Sequence, residues 1–410
     1  MLVDGDRMRE DFDALAAIGA TPEGGVNRPS LGEAHLAART WFIERAAAAG
    51  LETRVDPAGN HSAVLRPRDP EAPTLLLGSH LDSVPDGGRY DGALGVVAAL
   101  HVLLAVQSTG VEPPVTLEAI DFTDEEGTLV GLLGSEALAG KLQSESLQAP
   151  RGGREALLAG LERAGLREEE LVLARRDPAS LHAYLELHIE QGPRLVESGT
   201  QIGVVTGIVG ARSFSLAFRG RAGHAGTTPM GARRDAGLAA AAFVVAANEL
   251  VVRDFPDCVA TVGDLRFEPG AFNVVPGSAR VAVEFRSLES AQLDALESAL
   301  LREADTAAAA YALGVEATPV GRWEPTPLDP GVQAAIERAA AGLGLSSAPL
   351  PSGAGHDAQA LAAVVPSGMI FVPSTGGVSH DAREHTPWED CANGANTLLR
   401  AALDYAAVGP

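Results

Sequence analysis

Residues 78–95 read GSHLDSVPDGGRYDGALG and decide the fold, because they join a predicted strand to a predicted helix. The apolar run TLLLG at 74–78 is typical of a buried strand, and residues 92–107 are typical of an apolar helix. His80 follows the strand and Asp91 precedes the helix. Open α/β sheets bind ligands at the carboxyl ends of their strands, so this segment predicts a functional site.

The alternation of strands and helices continues through most of the chain. Strands are predicted at 115–122, 183–189 and 369–373, and helices at 30–49, 331–343 and 390–407. Ser30 and Glu33 have the spacing of a capping box at the start of the first of these helices. The pattern predicts an α/β fold with a doubly wound, mostly parallel sheet.

Between residues 208 and 325 the pattern changes to β-α-β-β-α-β. Strands are predicted near 208–219, 259–267, 279–286 and 313–320, and helices at 231–250 and 290–311. This order is that of a ferredoxin-like α+β domain. The sequence therefore predicts a discontinuous catalytic domain, 1–207 and 326–410, interrupted by an inserted domain at 208–325.

The composition narrows the choice of partners and compartment. The formal net charge is −23, which disfavours nucleic acid and anionic membranes as partners. Two cysteines without a CxxC pair and a polar N-terminus indicate a reducing compartment, so we expect a cytoplasmic protein. The apolar stretch at 237–252 contains Asn248 and Glu249, which favours a buried helix over a membrane span.

Three further motifs place imidazoles and carboxylates after predicted strands. They are DFTDEEG (121–127), ELHIEQGP (186–193) and VPSTGGVSHDAREHT (372–386). Taken singly, DFTDEEG also fits a solvated acidic turn, and His188 in ELHIEQGP is better explained as a core histidine. Crowded carboxylates are costly unless a cation or solvent neutralises them. In the metal hypothesis, one of two adjacent glutamates binds an ion and its neighbour acts as a general base.

Together the motifs supply five nitrogen and oxygen ligands for two divalent ions that share one carboxylate. The ligands are His80, Asp91, Glu126, His188 and His380. Such a set, without thiolate, favours Zn, Mn, Co or Ni. A pair of these ions polarises a carbonyl and lowers the pKa of a water. Asp82, two residues after His80, is placed to fix the tautomer of that imidazole.

The inserted segment and one later loop carry candidate substrate contacts. GRAGHAGTTPM (220–230), FNVVPG (272–277) and VEFRS (283–287) contain His224, Asn273 and Arg286. A guanidinium fits a substrate carboxylate, although a strand-end ion pair is an equal alternative for Arg286. The loop PSGAGHDA (351–358) offers backbone at Gly355, and His356 is a ligand candidate that ranks behind the others.

These motifs together resemble the amidase branch of the aminoacylase/carboxypeptidase metallohydrolases, from about Val26 to Ala402. That branch includes N-carbamoyl-L-amino-acid hydrolases, allantoate amidohydrolases and β-ureidopropionases. The resemblance implies two metal sites that share Asp91, with Glu125 as the general base and Asp82 supporting His80. It assigns one ion to His80, Asp91 and His188, and the other to Asp91, Glu126 and His380. Substrate recognition would fall to Gln191, His224, Asn273 and Arg286.

The resemblance also implies a homodimer formed through the inserted domain, which would serve as a lid. His224 would serve either its own active site or that of the partner subunit. The expected reaction converts an N-carbamoyl-L-amino acid to the amino acid, NH3 and CO2. Allantoate, β-ureidopropionate, N-acyl amino acids and dipeptides remain alternative substrates, and a non-catalytic metal-binding protein is a distant alternative.

Three departures from the branch's pattern are present, and the first of them bears on the substrate. Thr128-Leu129-Val130 stands where many relatives have Ser-Arg-Phe, Asp381-Ala382 stands for a Ser-Pro-like pair, and Glu284 replaces a commoner Asp.

Overall fold

The chain forms two units that are interleaved in sequence. The structure is a computed structural model that describes residues 1–407. The larger unit comprises Met1–Thr206 and the chain from Leu328 onward, and the smaller unit comprises Gly207–Pro327. Residues 408–410, which end the predicted catalytic domain, lie outside the described residues. Each unit is described by itself below.

Fifteen strands are described, and their bounds follow in chain order. They are β1 Glu52–Val55, β2 His61–Leu65, β3 Thr74–His80, β4 Thr116–Phe122, β5 Leu181–Ile189, β6 Ile202–Ile208, β7 Gly210–Arg219, β8 Gly223–His224, β9 Val259–Glu268, β10 Val274–Val275, β11 Ser278–Ser287, β12 Gly314–Trp323, β13 Thr326–Pro327, β14 Ser347–Ser352 and β15 Ser367–Val372. The strand predicted near 208–219 corresponds to β7, and β6 is an additional strand that precedes it.

Twelve α-helices alternate with these strands. They are α1 Gly5–Ala16, α2 Glu33–Ala48, α3 Ala93–Thr109, α4 Leu133–Ala139, α5 Ser144–Gln148, α6 Arg154–Ala164, α7 Arg194–Ser198, α8 Ala236–Asp254, α9 Ser290–Ala310, α10 Pro330–Gly342, α11 Asp357–Leu361 and α12 Trp388–Ala406. Short 3-10 turns occur at Glu168–Ala174, Pro178–Ser180, Met230–Ala232 and Thr375–Gly377.

The larger unit is built on a mixed sheet with a parallel centre. Its strands lie in the order β1-β2-β4-β3-β5-β15-β6, and β14 also pairs with β6. The pairs β4–β3, β3–β5 and β5–β15 are parallel, whereas the outer pairs β1–β2, β2–β4 and β15–β6 are antiparallel. Central strands such as β4 and β5 are buried along their whole length, as expected when both faces are covered. The predicted α/β class with a largely parallel central sheet is confirmed.

Helix α3 lies at the centre of the core of the larger unit. It packs against β3, β4 and β5 and also contacts α1 and α12. Val96, Leu100 and Leu103 are fully buried on it, and apolar residues occupy nearly all of its circumference. A helix that is apolar all round must be enclosed, so α3 is fixed in position by its surroundings. Its first turn therefore provides a rigid support for the preceding Asp91.

The predicted capping box at the start of α2 is wrong. Gly32 is the N-cap residue, and the helix begins at Glu33. Leu31 adopts a φ of 54°, and its N–H donates to His35 Nδ1 at 2.9 Å. This left-handed turn takes Ser30 out of line with the helix, so its hydroxyl cannot cap the first turn.

The smaller unit is a four-stranded antiparallel sheet with two long helices. Its sheet order is β12-β7-β11-β9, and a separate short pair joins β8 to β10. Helices α8 and α9 bury their inner faces against the sheet, with Phe218, Phe243 and Phe285 in the core. Asp235 caps α8, because one carboxylate oxygen accepts the N–H groups of Gly237 and Leu238 at 3.0 and 3.2 Å. The helix consequently begins at Ala236, five residues after the predicted start.

By length and composition alone, α8 is the one helix of residues 1–407 that is long and apolar enough to cross a membrane. Phe243, Ala239 and Ala240 on its inner face are fully buried in the core of the smaller unit. The core helices of soluble proteins share this character, so the helix is weak grounds for a membrane span.

Candidate metal centre

The carboxyl ends of the parallel strands bring distant side chains to one edge of the larger sheet. His80 is the last residue of β3, and His188 is the last but one of β5. Glu126 follows β4, and His380 follows β15. Because these strands run in the same direction, their ends meet, and Asp91 at the start of α3 lies among them.

Two imidazoles and a carboxylate form the first potential ligand group. Asp91 Oδ1 lies 3.5 Å from His80 Nε2 and 3.1 Å from His188 Nε2. All three side chains are buried. Their ligand atoms lie within 4.8 Å of one another, which is compact enough for one ion.

The second group uses the other oxygen of the same aspartate. His380 Nε2 lies 3.5 Å from Asp91 Oδ2 and 3.5 Å from Glu126 Oε2. These ligand atoms also lie within 4.8 Å of one another. The two oxygens of Asp91 thus face different imidazole groups, which is the arrangement that a carboxylate shared by two ions requires. Imidazole and carboxylate donors fit divalent metals.

Hydrogen bonds to backbone carbonyls set the tautomers of the two buried imidazoles. His80 Nδ1 lies 3.0 Å from the carbonyl oxygen of Asp82, and His188 Nδ1 lies 2.9 Å from that of Ile189. Each Nδ1 can only donate to a carbonyl, so Nε2 carries the lone pair of each neutral imidazole, and that of His188 accepts the Gly92 N–H at 3.3 Å.

The carboxylate of Asp82 has a different place from the one expected. It lies 3.8 Å from His80 Nδ1, farther than the backbone carbonyl of the same residue. Its two oxygens accept the N–H groups of Glu125 and Glu126, both at 3.3 Å. The side chain therefore orders the turn that carries both glutamates, and the tautomer of His80 is set by backbone.

Burial and crowding of like charges dominate the electrostatics of this edge. Burial raises the pKa of Glu125 well above its ordinary value, against the lowering effect of His80, whose Nε2 lies 3.5 Å from Glu125 Oε2. Burial likewise raises the pKa of Asp82 to about 7. For Asp91 burial would raise the pKa, but the charge of His188 and hydrogen bonds from the imidazoles hold it well below its usual range. Cations at the centre would relieve this crowding.

His380 differs from the other histidines because it is half exposed, at 51%. It stands on the loop after β15 with a φ of 56°, a left-handed conformation uncommon for a residue with a side chain. A hydrogen bond with Asp91 raises the pKa of His380 to about 9, with further contributions from the charges of Glu126 and Asp91. The position of this ligand therefore depends on how its loop is held.

Gln191 joins the centre, and the 351–358 loop lies beside it. Gln191 Nε2 donates to Asp91 Oδ2 at 2.6 Å, and its buried Oε1 has no hydrogen-bond partner among the described residues. His356 is buried, with its Nε2 2.8 Å from Ser352 Oγ and its ring 4.5 Å from that of His188. His356 forms a third compact group with Glu186 and His188. Gly355 is exposed immediately before it.

The structure places the other predicted contacts in the smaller unit. His224 on β8 pairs with Val274 on β10, and the Ala225 N–H donates to the carbonyl oxygen of Asn273 at 2.9 Å. His224 and Asn273 are exposed neighbours as a result. Arg286 on β11 donates from Nε and Nη2 to Glu284 Oε1 at 2.9 and 2.7 Å, which is the ion pair weighed as an alternative for this residue.

Sequence reasoning missed three polar residues near the centre, of which two are buried and Ser379 is half-buried. Glu384 accepts the backbone N–H of Asp91, and the Ser379 hydroxyl hydrogen-bonds to the Asp91 carboxylate. Asp357 is a fully buried acid. Burial and the charge of Glu186 raise the pKa of Asp357 well above its ordinary value. All three lie inside quoted motifs. For Ser379 and Asp357 the available signal was a polar residue in glycine-rich surroundings, whereas Glu384 lies in a polar run that gave no such signal.

The fold and the two ligand groups define a class: a metal-dependent hydrolase with its centre at the strand ends of an α/β sheet. The chain belongs to the Peptidase family M20/M25/M40, which matches residues 76–404. The resemblance found in the motifs is thereby confirmed.

Relatives within the family are amidohydrolases. The N-carbamoyl-L-amino acid amidohydrolase of Geobacillus stearothermophilus is 38% identical over 407 residues, which cover 99% of each chain. The allantoate amidohydrolase of Bacillus subtilis is 33% identical over 390 residues, 94% of this chain and 93% of its own. A crystal structure of a hydantoinase/carbamoylase-family amidase from Burkholderia multivorans matches with a TM-score of 0.91 at 35% identity, covering 100% of this chain and 99% of that one. The chain is an amidohydrolase of this family.

Proposed function

We propose that the chain hydrolyses the carbamoyl group of N-carbamoyl-L-amino acids with two divalent ions in the candidate metal centre. The main support for two metal ions is that the two oxygens of Asp91 face separate groups. One oxygen faces His80 and His188, and the other faces His380. The substrate is supported by the 38% identical N-carbamoyl-L-amino acid amidohydrolase. Zn, Mn, Co and Ni are the ions that the donor set favours.

The chain's own residues divide the work between holding the ions and moving a proton. His80, Asp91 and His188 would hold one ion, and Asp91, Glu126 and His380 the other. The bound pair supplies Lewis-acid activation of the carbonyl and of water. Glu125 lies at the same edge, with its Oε2 3.5 Å from His80 Nε2, and belongs to neither ligand group.

Glu125 is the residue best suited to shuttle the proton. Its carboxylate accepts a proton from the attacking water and returns it to the leaving nitrogen as the C–N bond breaks. Burial raises the pKa of Glu125, which brings it nearer to the working pH and strengthens it as a base. One water and one N-carbamoyl amino acid give one amino acid, one NH3 and one CO2, so no other reactant is needed.

In this proposal, residues of the smaller unit recognise the substrate. Arg286 would bind the substrate carboxylate through its guanidinium group. The substrate carboxylate would replace the Glu284 carboxylate, which accepts hydrogen bonds from this group in the structure. His224 would donate to the developing oxyanion, as preorganised donors do, and Asn273 beside it would hydrogen-bond the substrate. Gln191 and the backbone of Gly355 would complete the contacts from the larger unit.

A substrate panel with an ammonia assay tests this proposal. Metal-free protein is reloaded separately with Zn²⁺, Mn²⁺, Co²⁺ and Ni²⁺ and given N-carbamoyl-L-amino acids, their D-enantiomers, allantoate, β-ureidopropionate and N-acetyl-L-amino acids. We expect the highest kcat/KM for N-carbamoyl-L-amino acids, with equal yields of ammonia and amino acid. Faster turnover of N-acetyl substrates, which release no ammonia, would instead support an N-acyl-amino-acid hydrolase.

We also propose that the enzyme is a homodimer assembled through the smaller unit. The outer side of α8 exposes Leu238, Val245 and Val252, which recur every seven residues and so form one apolar stripe. Strand β9 is an edge of its sheet and exposes further apolar side chains, among them Val259 and Phe267. An unprotected edge beside an apolar stripe is a surface that a second copy of this chain would cover.

Light scattering of the purified enzyme tests the dimer. Val252→Glu should convert it to a monomer, whereas Val172→Glu, at an exposed valine of the larger unit, should not. Mixing His224→Ala with Glu125→Gln then decides which active site His224 serves. Activity that returns on mixing places His224 across the dimer, and activity that stays lost places it in its own subunit.

A cytoplasmic location is proposed from the two cysteines, Cys258 and Cys391, which are both buried and free. Cell fractionation tests it.

A further inference from the structure

A buried glutamate outside both ligand groups ties together the two segments that carry Asp91 and His380. Glu384 lies four residues after His380 and is only 4% exposed. Its Oε1 accepts the backbone N–H groups of Tyr90 and Asp91, at 2.9 and 3.1 Å. These residues are more than 290 positions apart in the chain, so Glu384 fixes the turn before α3 to the loop after β15.

Ser379 extends this connection from the backbone of Asp91 to its carboxylate. The Ser379 hydroxyl lies 3.0 Å from Glu384 Oε2 and 3.1 Å from Asp91 Oδ2. The hydroxyl has one hydrogen, so it can donate to only one of these oxygens at a time. Gln191 Nε2 approaches the same hydroxyl at 3.2 Å. Asp91 Oδ2, the oxygen that faces His380, therefore contacts Gln191 and the Ser379 hydroxyl, and that hydroxyl also contacts Glu384.

The glycine-rich turn is shaped to admit this glutamate. A Cβ built on Gly88 would lie 2.1 Å from Glu384 Cδ and from Glu384 Oε1. Only a residue without a side chain allows the backbone to pass so close to the carboxylate. Gly88 thus has a specific partner in Glu384, whereas a Cβ on Gly87 would instead meet Val84.

Burial makes the carboxylate costly, and its contacts show what offsets that cost. A carboxylate removed from water must be compensated by donors, and two amides and one hydroxyl surround this one. All three donors belong to a metal-ligating residue or to a residue adjacent to a metal ligand. The contacts of Glu384 therefore converge on the ligand group of Asp91, Glu126 and His380.

We propose that Glu384 is a positioning residue that holds Asp91 against the His380 loop and thereby sets the affinity of the second metal ion. This inference rests on the proposed metal pair. The ion between His80, Asp91 and His188 depends less on Glu384, because both imidazoles stand on buried strands. Loss of Glu384 should consequently weaken one ion selectively, which a general loss of stability would not do.

Titration of the metal-free enzyme with Mn²⁺ tests the proposal, with free Mn²⁺ followed by electron paramagnetic resonance. Wild type should bind two ions. Glu384→Ala should bind the first as wild type does and the second ~10–100-fold more weakly, the usual effect of removing a residue that orients a ligand. Glu384→Gln keeps an oxygen for both N–H groups and should recover most of the second affinity.

Asp235→Ala is the matched control, because Asp235 also accepts two backbone N–H groups but lies in the smaller unit. It should bind both ions as wild type does. Glu384→Ala that melts at a lower temperature yet binds two ions with wild-type affinity would overturn the proposal and leave the metal pair intact. Wild-type enzyme that binds fewer than two ions would overturn the metal pair and this inference together.

Gly88→Ala provides a second route that removes no polar group. Its Cβ would displace the Glu384 carboxylate, so the second ion should again be weakened selectively. Glu384→Gly also removes the Cβ of residue 384, which would lie 2.5 Å from the new Cβ, so the double variant with Glu384→Gly has no clash and its second affinity should be no lower than that of Glu384→Gly alone. Additive losses in the double variant would show that Gly88 acts independently of Glu384, which contradicts the proposed connection.

Discussion

Replacing each of the two adjacent glutamates after β4 by glutamine should lower activity in two different ways, one of which added metal reverses. Glu125→Gln and Glu126→Gln each remove one negative charge and change the side-chain shape very little. Glu126 Oε2 lies 3.5 Å from His380 Nε2, in the second ligand group, whereas Glu125 Oε2 lies 3.5 Å from His80 Nε2 and belongs to neither group. The pair therefore separates the role of ligand from the role of base.

The expected magnitudes follow from these positions. Loss of a general base lowers turnover by ~10²–10⁴-fold, which at ~1.4 kcal/mol per decade is ~3–6 kcal/mol of activation free energy. Each substitution also weakens metal binding through the lost charge, since unit charges ~6 Å apart interact by ~3 kcal/mol at an effective dielectric constant of ~20. Both variants share this second effect, so it cancels when they are compared.

The assay measures kcat for ammonia release as a function of metal concentration. Activity of Glu126→Gln should rise with added metal toward that of wild type, because an absent ligand can be offset by mass action. Activity of Glu125→Gln should stay low even when two ions are bound. Wild-type turnover in a metal-saturated Glu125→Gln enzyme would refute the assignment of Glu125 as the base.

Three other predictions follow from the structure. Gly92→Ala should lose the ion held with His80, because its Cβ would lie 2.4 Å from the imidazole ring at a φ of 63°, and metal content by mass spectrometry would show the loss. Arg286→Lys should raise KM by ~10–100-fold, the effect of losing ~1.5–3 kcal/mol of hydrogen bonding to a charged group, with little change in kcat; an unchanged KM would exclude a carboxylate contact. His380, with its pKa near 9, must lose a proton to bind metal, so below about pH 9 the affinity of the second ion should rise by up to ~10-fold per pH unit, with proton release detectable by an indicator dye. The raised pKa also stabilises the folded metal-free enzyme fully below about pH 6.5, and this stabilisation should be lost as the pH rises through about 9.

Strand-end placement made the ligand positions predictable from the sequence. His80 and His188 end apolar runs whose burial on both faces is evident from composition, and Asp91 precedes a helix that is apolar all round. Parallel strands put such ends on one edge, so the juxtaposition follows from fold class alone. The α/β class was predictable for the same reason.

Contacts made through backbone were not predictable. Ser30 and Glu33 have the spacing of a capping box, yet the left-handed turn at Leu31 places the cap at Gly32. The tautomer of His80 is set by the carbonyl of Asp82, although the carboxylate was the more obvious partner.

Glu384 illustrates the same limit at long range. Its partners are the amides of Tyr90 and Asp91, and nothing in the identity of those residues indicates that their N–H groups need an acceptor. A run of polar residues such as SHDAREH is typical of an exposed loop. Burial of one acid within it depends on how two loops pack, which periodicity does not report.

An anomalous difference map from crystals of the Mn²⁺-loaded enzyme would test the central claim most directly. We expect two peaks, one among His80, Asp91 and His188 and one among Asp91, Glu126 and His380, with the Asp91 carboxylate between them. A single peak, or peaks away from Asp91, would contradict the shared-carboxylate centre on which the proposed hydrolysis depends.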